Sequence, residues 1–185
     1  WSSSIGHGGI VFSPTAALTL TGGIGMGFRA PTLFDLYSNG PHLAENRYEV
    51  GDPNMKQETS VDVDAGVRWS GARVRADLSA FRNRIDDFIY LRNTGTQTNG
   101  LDRYQHEQVD AQTTGAEVSL EAELSKLVSL RAQHDFVRGE RRADGTALPL
   151  MPAPRTVVGG ELHSNQIGWA HRASLGVELE LVAEQ

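Results

Sequence analysis

The stretch GFRAPTLFDLYSNGPHLAENRYEVGDPNMKQETS, residues 27–60, decides how the fold of this chain is interpreted. It begins as an extended segment that breaks at Ala30-Pro31, because proline lacks an amide hydrogen and restricts the residue before it to extended geometry. A long polar segment follows. Residues 51–54, Gly-Asp-Pro-Asn, are turn formers that precede the next extended segment. The stretch therefore predicts two strands joined by a long loop.

Outside this loop the chain alternates apolar and polar residues with a period of two, which is the period of a β-strand. From 61 to 69 the odd positions are Val, Val, Ala, Val and Trp, whereas the even positions are Asp, Asp, Gly and Arg. The pattern predicts an all-β chain of about eight strands. Together with the strand lengths, loop lengths and aromatic positions described below, it favours an antiparallel, up-and-down transmembrane β-barrel segment. The predicted strands lie at roughly 5–12, 17–29, 58–69, 73–90, 104–124, 128–138, 155–163 and 169–182.

The connections between these strands alternate in length. Short turns are predicted at 13–15, 70–72, 125–127 and 164–168, and long loops at about 30–57, 91–103 and 139–154. Several strands exceed the ~9–11 residues that a tilted strand needs to cross a bilayer. Short turns on one side and long loops on the other are typical of an outer-membrane barrel.

Aromatic residues lie near both ends of the predicted strands. Such side chains prefer the level of the lipid headgroups, where an apolar ring and a polar edge are both satisfied. The placement predicts two aromatic belts: Phe12, Trp69 and Trp169 beside short turns, and Phe28, Tyr90 and Phe136 towards long loops.

Composition excludes several classes of protein. The 185 residues carry 23 acidic and 17 basic side chains, a formal net charge of -6, which disfavours a nucleic-acid partner. Without cysteine there is no disulfide framework, thiolate metal site or cysteine nucleophile. No Gly-x-Ser-x-Gly elbow, phosphate-binding loop or helical metal motif is present, so an enzyme is not expected.

Two sequence boxes lie at the two ends of the long loop: Phe-Arg-Ala-Pro (28–31) with Leu33, Leu36 and Tyr37, and Asp-Pro-Asn-Met (52–55) with Glu-Thr-Ser (58–60). They look like the barrel of TonB-dependent outer-membrane receptors, which import scarce metal chelates, haem or vitamin B12 into bacteria. In the second box, methionine replaces the family's usual leucine, a change that preserves volume and apolarity.

The resemblance implies that residues 1–185 form part of a receptor barrel, without the family's plug domain and its C-terminal closing strand. An open sheet in lipid would leave backbone groups unpaired at several kcal/mol each. We therefore expect the chain to belong to a larger barrel, to close on itself, or to self-associate through its strand edges. The implied partners are outer-membrane lipid, the TonB complex through the parent protein's plug, and a small metal-containing ligand.

His42 is the principal candidate for contact with that ligand. Haem receptors of this family typically place an axial histidine between the two boxes, and a neutral imidazole nitrogen is a good iron ligand. Residues 39–44 also resemble outer-membrane zinc receptors. That resemblance implies that Glu45 and Glu49 of this chain would join His42 as zinc ligands. His106, close to the second long loop, could join His42 across the mouth as a fourth metal ligand. The alternative is a solvated histidine on a polar loop.

Four further residues are candidate ligand contacts. Arg29 is expected to pair with a carboxylate, for which Asp35, Asp62 or Asp64 would serve, and less readily to grip an anionic ligand. Siderophore receptors rely on aromatic residues and arginine, which here would be Tyr37, Arg47 and Tyr48. No intrinsic cofactor is expected, and the transported ligand would be haem, zinc or a ferric siderophore.

Two other classes of protein fit part of the pattern. A passive porin-like channel would share the strands but lack a plug. A soluble β-domain, binding a partner by its sheet edge, would place its apolar face in a core, and alternation alone does not distinguish it from a membrane barrel.

Overall fold

The computed structural model describes residues 3–167 and 170–183, without the side chains of residues 165–172. Its long strands form one antiparallel meander in the order β1-β2-β5-β6-β7-β8-β9-β10. The elements are β1 (Gly6–Phe12), β2 (Leu18–Arg29), α1 (Leu33–Tyr37), β3 (Asn39–His42), β4 (Arg47–Val50), β5 (Glu58–Ser70), β6 (Val74–Thr98), β7 (Leu101–Glu123), β8 (Val128–Arg141), β9 (Arg155–Ile167) and β10 (Ala170–Val182).

The eight predicted strands are confirmed, and two short ones, β3 and β4, lie inside the first long loop. The predicted long loop at 91–103 is wrong, because β6 and β7 continue to Thr98 and from Leu101 around a two-residue turn. Asn99 and Gly100 have φ values of 56° and 80°, the left-handed conformation that tight hairpin turns require. The predicted turn at 164–168 starts too early, since β9 continues to Ile167; residues 168–169 lie outside the described residues.

The apolar face of the sheet is exposed. Val63 and Leu78 are each 51% exposed, and Val177 is 73% exposed. Within the described residues only four hydrophobic side chains are buried: Met55, Ile89, Ala111 and Leu148. A soluble sandwich would bury such a face in a core, and the described residues contain no second layer that covers it. The sheet has the two-faced character of a barrel wall whose outer face meets lipid.

Most of the predicted belt aromatics lie on this exposed surface. Phe12 is 58% exposed, Trp69 46%, Phe28 43% and Phe136 42%. Tyr90 differs from the prediction, because its ring stacks on Phe88 with centroids 6.4 Å apart and its hydroxyl donates to Glu107. A β-bulge between Ile85 and Phe88 precedes it and changes the course of the strand. Trp169 lies outside the described residues.

The first long loop folds back onto the tall β6–β7 hairpin. β3 pairs antiparallel with β4, and β4 pairs in parallel with the first residues of β7, from Arg47 opposite Asp102 to Val50 opposite Gln105. We call this end of the sheet, comprising residues 30–57, the β6–β7 hairpin above the bulge and residues 142–154, the mouth. In the described residues, no helix is long and apolar enough to cross a membrane.

Candidate ligand site at the mouth

The first box of the loop builds a short capped helix. Proline ends the strand character of β2, and Thr32 becomes the N-cap of α1 in a capping box with Asp35. The Thr32 hydroxyl oxygen accepts from the Asp35 amide at 3.1 Å, and Asp35 Oδ2 accepts from the Thr32 amide at 2.8 Å. The box turns the Asp35 carboxylate back towards the end of β2.

Arg29 joins the helix to the sheet. Its Nε and Nη2 donate to the two oxygens of Glu58 at 2.6 and 2.9 Å, and its Nη1 donates to Asp35 Oδ2 at 3.1 Å. Glu58 also accepts from the Ile89 amide at 2.5 Å. The predicted pairing of Arg29 with Asp35 is therefore found, whereas its main partner is Glu58 rather than Asp62 or Asp64. The pairing of Arg29 with Glu58 could have been predicted from the register of β2 and β5, which sets the two residues opposite each other.

Asp35 is buried and charged. Burial raises the pKa of its carboxyl, but hydrogen bonds from Thr32 and the charges of Arg29 and His106 outweigh burial, so the pKa is lowered from 3.8. The ionised form is thus the one that holds α1 against the sheet.

His106 lies between two carboxylates of the folded-back loop. Its Nδ1 is 3.2 Å from Asp35 Oδ1, and its Nε2 is 3.8 Å from Glu49 Oε2. The His106 side chain is 11% exposed, and its Nε2 has no hydrogen-bond partner within the described part of the chain. His42 approaches the same glutamate, with Nδ1 3.9 Å from Glu49 Oε1. The mouth therefore brings His42 and His106 near one carboxylate, and their role as metal ligands stays a prediction.

Arg47 occupies the carboxylates predicted as metal ligands. Its Nε donates to Glu49 at 2.6 Å, its Nη1 pairs with Glu45, and its guanidinium lies 5.3 Å from the ring centroid of Tyr104. No group of three or more His, Cys, Asp or Glu side chains in residues 3–167 and 170–183 is arranged to hold a metal ion. The four-residue metal site, His42 with Glu45, Glu49 and His106, stays a prediction.

The remaining candidates divide by accessibility. The His42 side chain is 45% exposed, that of Glu45 is 53% exposed, and Tyr37 is 65% exposed. Tyr48 is half-buried, and its hydroxyl donates to Asn39 Oδ1 at 3.0 Å. The exposed group could contact an arriving ligand directly, whereas Glu49 is buried beneath it. The Arg29 side chain is 44% exposed, but its guanidinium is engaged by Glu58 and Asp35 and holds the loop in place.

Glutamine side chains tie the loop to the hairpin. Gln108 accepts from the Lys56 amide and donates to the Lys56 carbonyl, both at 2.8 Å, and Gln105 donates to the Gly51 carbonyl at 3.2 Å. Side-chain amides can replace a backbone ladder in this way because each offers a donor and an acceptor. Neither glutamine was predicted as a site residue, since both lie in a segment without a motif.

Comparison with known proteins gives consistent matches. The sequence model of the family described as "TonB dependent receptor-like, beta-barrel" matches residues 1–178. The iron-regulated outer membrane virulence protein of Vibrio cholerae serotype O1 is 27% identical over 154 residues, covering 78% of this chain and 24% of that protein. A hemin receptor of Yersinia pestis is 32% identical over 107 residues, covering 50% of this chain and 15% of that receptor.

Solved structures agree on the fold. The copper transporter OprC superimposes with a TM-score of 0.78 at 22% identity, over 97% of this chain and 26% of that chain. The chain therefore spans about a quarter of the length of the Vibrio cholerae protein and of OprC. Because the matched segments are parts of longer single chains, the predicted self-association through strand edges gains no support.

Proposed function

The chain belongs to the TonB-dependent receptor-like β-barrel family, and from that premise we propose that the protein containing it imports an iron-bearing small molecule. It is a bacterial outer-membrane protein and not an enzyme. In this proposal, the ligand binds at the mouth, and energy delivered by the TonB complex rearranges a plug outside residues 1–185 to release it inward.

Haem is the ligand that the mouth supports best. The observation that carries this proposal is the half-exposed imidazole of His42, on a loop that Arg29, Glu58 and the β6–β7 hairpin hold in place. Imidazole is the commonest protein ligand of haem iron. Glu49 Oε1 lies 3.9 Å from His42 Nδ1, which is beyond hydrogen-bond distance, so the ring would have to move closer for this carboxylate to orient it and leave Nε2 for the metal. The similarity to hemin receptors supports the same ligand.

Haem titration of the complete receptor tests this proposal through the Soret absorbance. We expect a saturable shift for the wild type, and for His42→Ala a dissociation constant raised about tenfold or more, since losing a metal bond costs at least ~1.4 kcal/mol. His134→Ala is the matched control, because that histidine lies on the lipid-facing side of β8 and bonds Thr156. A saturable shift unchanged in His42→Ala would remove His42 as the ligand. No shift in either protein would overturn the haem proposal.

A ferric siderophore is the second candidate. Exposed Tyr37 offers an aromatic surface for an iron chelate. Arg47, stacked on Tyr104, is the nearby cation, although Glu45 and Glu49 already engage it. Quenching of receptor fluorescence by ferric catecholate, in wild type and Tyr37→Ala, separates it from haem. Zinc has less support, because Arg47 engages Glu45 and Glu49, and calorimetry with Zn²⁺ alone would test it.

A further inference from the structure

Arginine residues lie on the outer face of the sheet directly above its apolar band. The β6–β8 register sets Ala80, Ala116 and Phe136 side by side, and the next outward-facing row towards the mouth consists of Arg82, Thr114 and Arg138. Arg84, the following outward residue of β6, pairs with Val61 of β5. Because cross-strand partners share a face, these arginines point away from the polar side of the sheet, as the exposed valines do.

These guanidinium groups are accessible and incompletely neutralised. Arg82 Nη2 donates to Gln112 Oε1 at 2.7 Å, and Arg138 Nη2 lies 3.1 Å from Glu140 Oε2 with its side chain 72% exposed. Arg82 and Arg84 form no ion pair within the described part of the chain. The row above differs, because Arg142 there is paired with both Asp86 and Asp110.

The cost of placing arginine in lipid determines the depth of such a cluster in the membrane. An arginine on the lipid face is costly at the bilayer midplane and nearly neutral at the interface. There its stem covers apolar surface while the guanidinium reaches the headgroups. Phe136, one row below and 42% exposed, marks the boundary between the band and this interface. The long-loop end of the sheet is the outer side of the outer membrane.

The spacing suits a phosphate. Neighbouring strands lie ~4.8 Å apart, so Arg82 and Arg138, on either side of β7, are separated by about 10 Å of sheet. Two extended arginine side chains span that gap, and guanidinium binds phosphate oxygens through paired hydrogen bonds. The Thr114 hydroxyl lies between them as a further donor. Arg84, one row higher, is placed for a second phosphate or for the same headgroup.

We propose that Arg82, Thr114, Arg138 and Arg84 form a binding site for the phosphorylated headgroup of an outer-leaflet glycolipid of the lipid A type. Its acyl chains would lie along the apolar band of β6–β8, below the arginines. Because the apolar band lies directly below the arginine cluster, one lipid molecule could contact both, so we favour a lipid over a soluble phosphate. The site is separate from the mouth and does not depend on which ligand is transported.

Native mass spectrometry of the complete receptor in non-ionic detergent tests the site, with diphosphoryl lipid A as the probe. We expect wild type to retain the lipid and the Arg82→Gln/Arg138→Gln variant to bind it at least tenfold more weakly, because two charge-assisted hydrogen-bonding groups are lost. Arg75→Gln is the matched control, since Arg75 faces Glu121 on the other side of the sheet. Heat-dependent mobility in gels confirms that each barrel is folded.

Two comparisons separate the sources of phosphate. Lipid A stripped of its phosphates should bind at least tenfold more weakly to wild type, and inorganic phosphate at millimolar concentration should leave diphosphoryl lipid A bound. Equal binding by wild type and the double variant, or by the two lipids, would overturn the proposal. Displacement by inorganic phosphate alone would show a free-anion site and would also overturn it.

Discussion

The wall of the sheet and its mouth are stabilised in opposite ways. Along the wall, Val63, Leu78 and their outward neighbours are exposed, and pairing of backbone groups between strands holds the structure together. At the mouth, Asp35, Glu49 and Glu58 are buried, and the four buried hydrophobic residues also lie at this end or just below it. Lipid serves as the apolar surroundings of the wall, whereas the mouth, in water, must supply its own small core and its own charge pairing.

Charging the wall should have the largest effect. Leu78→Arg places a cation in the apolar band and should lower the free energy of unfolding by about 2–4 kcal/mol. Leu33→Arg is the control, because Leu33 is 75% exposed but belongs to the mouth, where its surroundings are water. Urea titration of the complete receptor in lipid vesicles measures both. Equal losses in the two variants would contradict the assignment of the exposed apolar face to lipid.

Removing the arginine beneath the mouth should come next. Arg29→Leu leaves Glu58 and Asp35 buried without their cation and should cost roughly 2–3 kcal/mol, less than a fully buried pair because Arg29 is partly exposed. The loss should be local, opening residues 30–57 while the wall stays folded. Limited proteolysis of that loop is the measurement. Arg92→Leu, which breaks the more exposed Arg92–Glu107 pair, should change cleavage little.

The close contact between Gly51 and α1 at the mouth gives the next prediction, with a smaller expected effect on stability. A Cβ on Gly51 would lie 2.6 Å from the Leu36 carbonyl carbon and 2.7 Å from the Tyr37 amide nitrogen, so α1 must shift. Gly51→Ala should therefore cost roughly 1–3 kcal/mol of loop stability. Gly40→Ala in the same loop meets nothing within 4 Å and serves as the control. Similar protease sensitivity in both variants would show that α1 does not pack as described.

The smallest effect should appear only in acid. The pKa of Asp35 is lowered in the folded state, so the unfolded loop binds the proton more readily as pH falls. The stabilisation is complete above the unfolded pKa, near 3.8, and is lost as pH falls through the lower folded pKa. Hydrogen exchange of α1, normalised to β5, should accelerate in that range for wild type. In Asp35→Asn the pH dependence should vanish; its persistence would assign it to another group.

The contrast between the lipid-facing wall and the water-exposed mouth also explains which strands the sequence could predict. Wall strands were located correctly because one face meets lipid and the other does not, which imposes a period of two. Above the membrane both faces of β6 meet water, so Asn93, Thr94 and Gln97 carry no alternation, and the strand was mistaken for a loop. Only the Asn99-Gly100 turn signalled the hairpin.

Within the candidate site, the sequence grouped His42, Glu45, Glu49 and His106 as metal ligands, and this grouping stays a prediction. The sequence did not predict that Arg47 engages Glu45 and Glu49. Those contacts follow from the parallel pairing of β4 with β7, a long-range register that no local motif encodes.

Uptake of radiolabelled iron supplied as haem, in cells that carry the complete receptor with or without TonB, tests the proposed function most directly. We predict saturable uptake that requires TonB and that falls about tenfold in His42→Ala at low haem concentration. Uptake that is linear in concentration and unchanged without TonB would contradict the account and favour a passive channel.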